Sequence, residues 1–254
     1  MQVSLITCTY NSEKTIKDCC LSISSQSYPD IEHIILDKNS KDNTISIVKR
    51  YGTENLKIFQ QKGSGIYSAL NEGMKVANGE IIGILHSDDQ FENDQVISII
   101  KEKFIENDLD ILFSNLFYTK RNDINKIIRR WSSNLEEGIQ SNLYLDKKIN
   151  NGWMPPHTTL FIKKNLLNEV EYYDESFKIS SDYDFMIRLI KKMKFKIFFL
   201  NSFTVRMRVG GNSNKNIRNI LLKMKEDYRI MKKFNLNAFK NIFIKNLSKI
   251  SQFF

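Results

Sequence analysis

The chain has 254 residues, 41% apolar and 11% aromatic, with 38 Lys or Arg against 29 Asp or Glu for a formal charge of +9. That apolar content supplies a real core and excludes global disorder, and the length suits one large α/β domain or a domain with an extension. Cys8, Cys19 and Cys20 form neither a metal-type CxxC pair nor a disulfide framework, and they read as buried thiols of a reducing compartment. No signal peptide precedes the first strand, and no apolar run approaches the roughly 18 residues of a membrane span, so a cytoplasmic location is expected. From Lys215 to the end, ten Lys or Arg residues face only Glu226 and Asp227, which carries nearly all of the net charge. This asymmetry marks a body, residues 1–212, followed by a basic tail, 213–254.

In chain order, "QVSLIT" is a short apolar strand, followed by Asn11 and Ser12 as helix-capping candidates. Ile16, Cys19, Cys20 and Ile23 recur at i, i+3, i+4 and i+7, one face of a helix. Ile31–Leu36 reads as a buried strand, "TISIVKRY" as a helix and "LKIFQ" as a third strand. "IYSALNEGMKVA" follows as a helix stopping at Asn78-Gly79, then Gly79–Leu85 as a strand and Gln95–Phe104 as a helix. Such alternation predicts an α/β fold with a mostly parallel central sheet, right-handed crossovers, and ligands beyond the C-terminal strand ends. Between about 115 and 155 the pattern is mixed and assigns no element. After the Pro155-Pro156 bend come a strand, Thr158–Lys163, and a helix beginning near Asp182. Two β-rich runs, "FKIFFL" and "FTVRMRV", precede a tail that is helical by pattern from Asn216 to Ser251.

The strand ends carry the chemistry. Strand four runs into His86-Ser87-Asp88-Asp89, bringing two neighbouring carboxylates together, where repulsion opposes ionising both. One of them could cap the next helix, yet Asn93 already stands before it in that role. A divalent cation, Mg²⁺ or Mn²⁺, would relieve the repulsion, and Mg²⁺ takes one or two carboxylates together with phosphate oxygens and water. Thr9 and Tyr10 at the end of strand one offer a hydroxyl and a flat ring for a nucleoside. Asp37 at the end of strand two is an acceptor for a base imide or ribose hydroxyl, or an Asx-turn residue. Gly63 and Gly65 around Ser64 let backbone approach a ligand, or simply form a turn.

Together "SLITCTYN", "LDKNSKDNT", "GSGIYSALNEGMKVANGEIIGILHSDDQF" and "SDYDFMIRL" resemble the family 2 glycosyltransferases of the GT-A fold, in particular bacterial enzymes that build surface polysaccharides. The resemblance covers about residues 1–212. It implies an inverting, metal-dependent transfer from a nucleotide-diphosphate sugar (UDP-, GDP- or dTDP-linked) to a glycan or lipid-linked acceptor hydroxyl. It implies further that Thr9, Tyr10, Asp37, Ser64 and Asn71 serve the donor, that Asp88 lies by the ribose and donor sugar, and that Asp89 ligates the metal. Two departures, Ser68 and Lys38 where the family usually has acidic or small residues, bear on donor-sugar preference. Asp182 matches the family's catalytic base, while its competitor Asp184 can pair with Arg188 four residues on.

His157 after the Pro-Pro bend is a candidate acceptor-side residue or a structural one. Gly210 and Gly211, flanked by Arg206, Arg208 and Lys215, suit a loop closing over a diphosphate or a solvated turn. His86 reads as a filler. No QxxRW motif occurs, which argues against a processive polymerase. The tail's Ile220, Leu221, Met224, Tyr228 and Met231, and beyond them Phe239, Ile242, Phe243, Leu247 and Ile250, alternate with basic residues. That pattern fits attachment to the anionic cytoplasmic face of an inner membrane, packing onto the body, or packing onto a second subunit in a homodimer. Nucleic acid is not expected, because the aromatics sit on an apolar face. The rival classes are a sugar nucleotidyltransferase, which needs a glycine-rich basic loop after strand one that "TCTYNSEK" lacks, and a non-catalytic membrane-associated protein on the same fold.

Overall fold

The computed structural model describes residues 1–192, 194–210 and 217–237. The first half alternates as expected: β1 (Val3–Thr9), α1 (Ile16–Ser24), β2 (Ile31–Asp37), α2 (Thr44–Tyr51), β3 (Leu56–Gln60), α3 (Ile66–Val76) and β4 (Ile81–Ile84). Then come β5 (Gln90–Phe91), α4 (Val96–Glu106), β6 (Ile111–Lys120), β7 (Asp123–Trp131), β8 (Gly138–Gln140), α5 (Asn142–Ile149), β9 (Phe161–Lys163), α6 (Leu167–Val170), α7 (Ser181–Lys191), β10 (Ile197–Arg208) and α8 (Ile217–Lys233).

One sheet runs β3-β2-β1-β4-β9-β6-β10-β5, with β7 beside β6 and β8 beside β10. The parallel pairing holds for the first four strands and for β6 with β10, while β9, β5, β7 and β8 are antiparallel insertions. Every residue of β2 is buried, because helices cover both faces of the sheet. On one side α1, α2 and α4 pack through Ile16, Cys19, Val48, Ile97 and Phe104. On the other, α3, α5, α7 and α8 pack through Leu70, Ile149, Phe185 and Met231. Gly83 is required where β9 crosses β4, since a Cβ there would sit 2.4 Å from the Phe161 ring.

Several boundaries differ from the sequence reading. The unassigned stretch is a long hairpin, β6–β7, followed by β8 and α5. Its second strand is an edge whose residues are mostly exposed, so it lacks a periodic apolar signal. The two C-terminal β-rich runs are one strand, β10, broken by exposed Asn201 and Ser202 where the pairing with β6 shifts register. The expected strand from Thr158 opens instead with a 3₁₀ turn over His157–Thr159. Neither Asn11 nor Ser12 caps α1 with its side chain: the Ser12 hydroxyl contacts Ser87 Oγ at 3.1 Å, and Asn11 Oδ1 accepts from Lys41 N. Asn93 accepts from Gln95 N just ahead of α4. α3 stops at Val76, and Gly79 serves a close approach, since a Cβ there would lie 2.6 Å from Ser4 N.

Candidate active site

The C-terminal ends of β1, β2 and β4 lie side by side. Thr9 pairs with Asp37 in the parallel register, and Thr9 Oγ1 donates to Asp37 Oδ1 at 2.8 Å. Asp37 also accepts from Ser40 N at 2.8 Å and Ser40 Oγ at 2.6 Å. The Asx-type turn is thus formed, with Thr9 as a further donor to the same carboxylate. Beside it Tyr10 leaves 59% of its surface exposed, a large ring with an open face at the sheet edge. Ser64 is exposed in the Gly-Ser-Gly loop, whose Gly63 N donates to Glu72 Oε1 at 2.7 Å.

The Asp88–Asp89 pair closes β4, and its two members differ in surroundings. Asp88 is partly exposed and its Oδ2 receives Arg121 Nη1 at 2.5 Å. Asp89 is 1% exposed. Its Oδ1 accepts from Arg208 N at 3.1 Å, and no hydrogen bond reaches Oδ2 among the described residues. Burial, and then the charge of Asp88, push the Asp89 carboxyl well above the ordinary carboxylate range. Arg208 spans the floor of the site, donating from Nη1 to Asp88 O at 2.6 Å and from Nη2 to Asp18 Oδ2 at 2.5 Å. Among the described residues no cluster of three or more His, Cys, Asp or Glu side chains could enclose a metal. The orphaned Asp89 oxygen nevertheless fits a cation that takes one protein carboxylate and draws its other oxygens from phosphate and water.

Across this edge stands the first turn of α7. Asp182 Oδ1 accepts from Tyr67 OH of α3 at 3.2 Å, and Asp182 Oδ2 lies 3.2 Å from His157 Nδ1. His157 Nε2 in turn lies 3.3 Å from His86 Nε2, at the end of β4. Two imidazoles thus tie the strand that ends in Asp88 and Asp89 to the carboxylate on α7.

Asp184, the competitor, is 0% exposed and fully engaged. Arg188 Nε donates to one oxygen at 2.7 Å and Lys233 Nζ to the other at 2.8 Å. Arg188 also binds the carbonyls of Val170, Glu171 and Tyr172, so this acid is the hub of a packing network. Two further candidates also have partners within the fold. The Asn71 amide donates to Tyr173 O and Glu175 Oε1 and accepts from Tyr173 N. Arg206 holds Glu92 with two bonds, at 2.6 and 2.8 Å, and reaches Asn125. Gly210 has φ +91, a left-handed turn that suits glycine, while Gly211 lies outside the described residues.

The described part of the tail, α8, is joined to the body. Ile230 and Met231 enter the core, and buried Glu226 accepts from the backbone N–H groups of Lys178, Ile179 and Ser180 at 2.8–2.9 Å. The other side of α8 exposes Ile217, Ile220, Leu221 and Met224. The second tail segment, with Phe239 to Ile250, lies outside the described residues. No described helix is long and apolar enough to cross a membrane.

The fold has known counterparts. Staphylococcus aureus TarS in complex with UDP-GlcNAc superposes with a TM-score of 0.73 at 22% identity, over 96% of this chain and 70% of that one. A mannosyltransferase from Pyrobaculum calidifontis in complex with GDP-Man and Mn²⁺ gives 0.61 at 15% identity, over 96% and 68%. These likenesses establish the class, a GT-A glycosyltransferase fold. Residues 4–196 match the family described as glycosyl transferase family 2, and the chain belongs to that family; it is a glycosyltransferase. It is 28% identical over 228 residues to an uncharacterized glycosyltransferase of Methanocaldococcus jannaschii, covering 84% of this chain and 72% of that protein. It is 26% identical to the chondroitin synthase of Escherichia coli over 90% of this chain but only 32% of that longer protein.

Sequence reasoning missed Arg121, His86, Tyr67 and Glu226. Arg121 sits in the turn of the unassigned hairpin. His86 had an available signal, because it directly precedes the paired carboxylates at a strand end. Tyr67 and Glu226 act over 115 and 46–48 residues of chain, and no local pattern marks such partners.

Proposed function

We propose that this glycosyltransferase is inverting, metal-dependent and non-processive, and moves a sugar from a nucleoside-diphosphate donor to an acceptor hydroxyl in the building of a bacterial surface polysaccharide. The observation that carries this reading is the buried Asp89 oxygen that has no donor among the described residues, next to Asp88 and across from Asp182. Thr9, Tyr10 and Asp37 receive the nucleoside, and Asp88 lies toward the ribose and donor sugar. Asp89 would hold Mg²⁺ or Mn²⁺, which when bound neutralises charge on the leaving diphosphate. Asp182 takes the proton of the acceptor hydroxyl as its oxygen attacks the anomeric carbon from the face opposite the diphosphate. The new bond joins acceptor oxygen to the anomeric carbon, the bond to the phosphate oxygen breaks, and the nucleoside diphosphate departs. Asp184 is buried with both oxygens bonded to Arg188 and Lys233, out of reach of an acceptor hydroxyl, which favours Asp182 for the role.

The UDP-GlcNAc bound by TarS and the relatives named as chondroitin and hyaluronan synthases support a UDP-linked donor. A thermal-shift screen of nucleotide sugars with Mn²⁺ or Mg²⁺ tests it. A midpoint rise that needs both cation and nucleotide sugar is expected, together with release of nucleoside diphosphate. Release of pyrophosphate would instead identify a nucleotidyltransferase, and a shift indifferent to cation would remove the metal.

A peripheral contact with anionic lipid is supported by α8, where exposed Leu221 stands between exposed Arg218 and Lys225 on one face. Binding to phosphatidylglycerol vesicles should fall several-fold in Leu221→Glu. Undiminished binding would leave that contact without support.

A further inference from the structure

Asp182 is held from both sides. Tyr67 OH reaches Oδ1, though it also donates to Ile179 O at the shorter distance of 2.6 Å, so Tyr67 is shared between two acceptors. His157 Nδ1 is the neighbour of Oδ2. A carboxylate oxygen facing a ring nitrogen is satisfied by a proton on that nitrogen, which a neutral His157 carries on Nδ1 in one of its two tautomers. A neutral imidazole has only one N–H, and the Nε2 of His157 is then bare. The atom facing it is His86 Nε2, at 3.3 Å with the rings inclined at 59°. Two bare nitrogens at that separation would repel, and two N–H groups would clash. With both rings neutral, one arrangement satisfies the whole chain: His86 Nε2–H donates to His157 Nε2, and His157 Nδ1–H donates to Asp182.

We propose that His86 is a positioning residue that, through His157, sets the tautomer and direction of the hydrogen bond on the carboxylate of Asp182. The function of this device rests on reading Asp182 as the base. The surroundings favour a neutral ring at His86. Burial, and then the proximity of His157, lower the His86 pKa to about 4, against the opposing influence of Asp88 and Asp182. An imidazolium at His157 would turn the base into half of an ion pair and weaken its pull on the acceptor proton. A neutral donor holds the oxygen in place without that penalty. The second imidazole thus does for His157 what a carboxylate or carbonyl does for the histidine of many hydrolytic and metal sites, fixing which nitrogen bears hydrogen.

The test has a spectroscopic arm and a kinetic arm. The chain contains three histidines, His33, His86 and His157, so long-range ¹H–¹⁵N spectra of the full protein at pH 7.5 resolve each ring. The expected pattern is protonated Nδ1 and bare Nε2 for His157, with protonated Nε2 for His86. In His86→Leu the His157 ring is expected to lose that single tautomer, and in His86→Gln, whose amide supplies an N–H, to keep it. A His157 protonated on Nε2 in the native chain, or unchanged in His86→Leu, overturns the proposal.

In the kinetic arm, UDP release from UDP-GlcNAc with Mn²⁺ is the probe. His86→Leu should lower kcat about 10-fold, the scale of a small misplacement of a reacting group, with donor KM within about twofold. His86→Gln should recover most of that loss. In an Asp182→Asn background the His86→Leu loss should vanish, because the two act as one unit; an undiminished loss there overturns the coupling. If Asp182→Asn itself turns over like the native chain, the reading of the base falls, and the spectra still decide what His86 does to His157. If the native chain does not use UDP-GlcNAc, the spectra decide alone.

Discussion

Two acidic pairs face one another across the site, Asp88–Asp89 at the end of β4 and Asp182–Asp184 in the first turn of α7. Each has one deeply buried member and one that reaches solvent, yet the buried members are opposites. Asp184 has a guanidinium on one oxygen and an ammonium on the other, and the guanidinium binds three further carbonyls. Among the described residues, Asp89 has a single backbone N–H, and its second oxygen has no hydrogen-bond partner. Burial of a carboxylate therefore does not distinguish structure from function here. Compensation is the distinction we propose: a matched acid holds the fold, and an unmatched one is read as the place for a ligand.

The largest effect should come from the matched acid. Asp184→Ala leaves the buried guanidinium without its anion. It should destabilise the protein by about 3 kcal/mol, the low end for breaking a buried pair because Lys233 is nearly half exposed, read from denaturant unfolding. A loss below about 1 kcal/mol would erase the contrast.

Asp182→Asn should lower transfer at least 10²-fold, about 2.7 kcal/mol in barrier, while unfolding stays near native. If Asp184→Asn abolished transfer and Asp182→Asn did not, the roles of the pair would be reversed.

Asp89→Asn should weaken cation-dependent donor binding about 10-fold or more, measured by titration with Mn²⁺ present. It has a second signature in pH. The folded carboxyl titrates above its unfolded value, so the folded chain binds the proton more tightly and stability is fullest below about pH 4. That contribution is lost as pH rises through the folded pKa. Without cation, the native chain should become less stable relative to Asp89→Asn across this rise, and added Mn²⁺ should narrow the gap. Parallel pH curves for the two proteins would show that burial imposes no penalty on Asp89.

The smallest effect is expected at Glu226→Gln, which keeps an acceptor but loses the charge that receives three N–H groups. About 1 kcal/mol should be lost, with a few-fold drop in transfer because the segment leading into α7 is less firmly held. Unchanged stability would mean those bonds are replaced by water without loss.

The same contrast explains what was legible in advance. The strands β1, β2 and β4 are short apolar runs that end in polar residues, and both the parallel order and the carboxylates at their ends could be read from that. The ion pair of Asp184 with Arg188 was also legible, since four residues on a helix bring side chains together. Lys233 was not, because it arrives from α8, 49 residues away. Asn71 and Arg206 were plausible ligand residues by type, and only their partners, at 102 and 114 residues, show them to be occupied. The β6–β7 hairpin was opaque because an edge strand with polar and apolar residues on both faces carries no clean period. β10 read as two strands because its register shift exposes Asn201 and Ser202 in mid-strand.

The carboxylate of Glu226 sets a practical limit on shortening the protein. The family match ends at residue 196, yet a fragment stopping there would lose β10 from the sheet and leave three amide hydrogens bare ahead of α7. Because Glu226, Ile230, Met231, Lys233 and Leu236 all meet the body, a fragment that keeps Asp182 in place is expected to need the basic helix and the residues just after it.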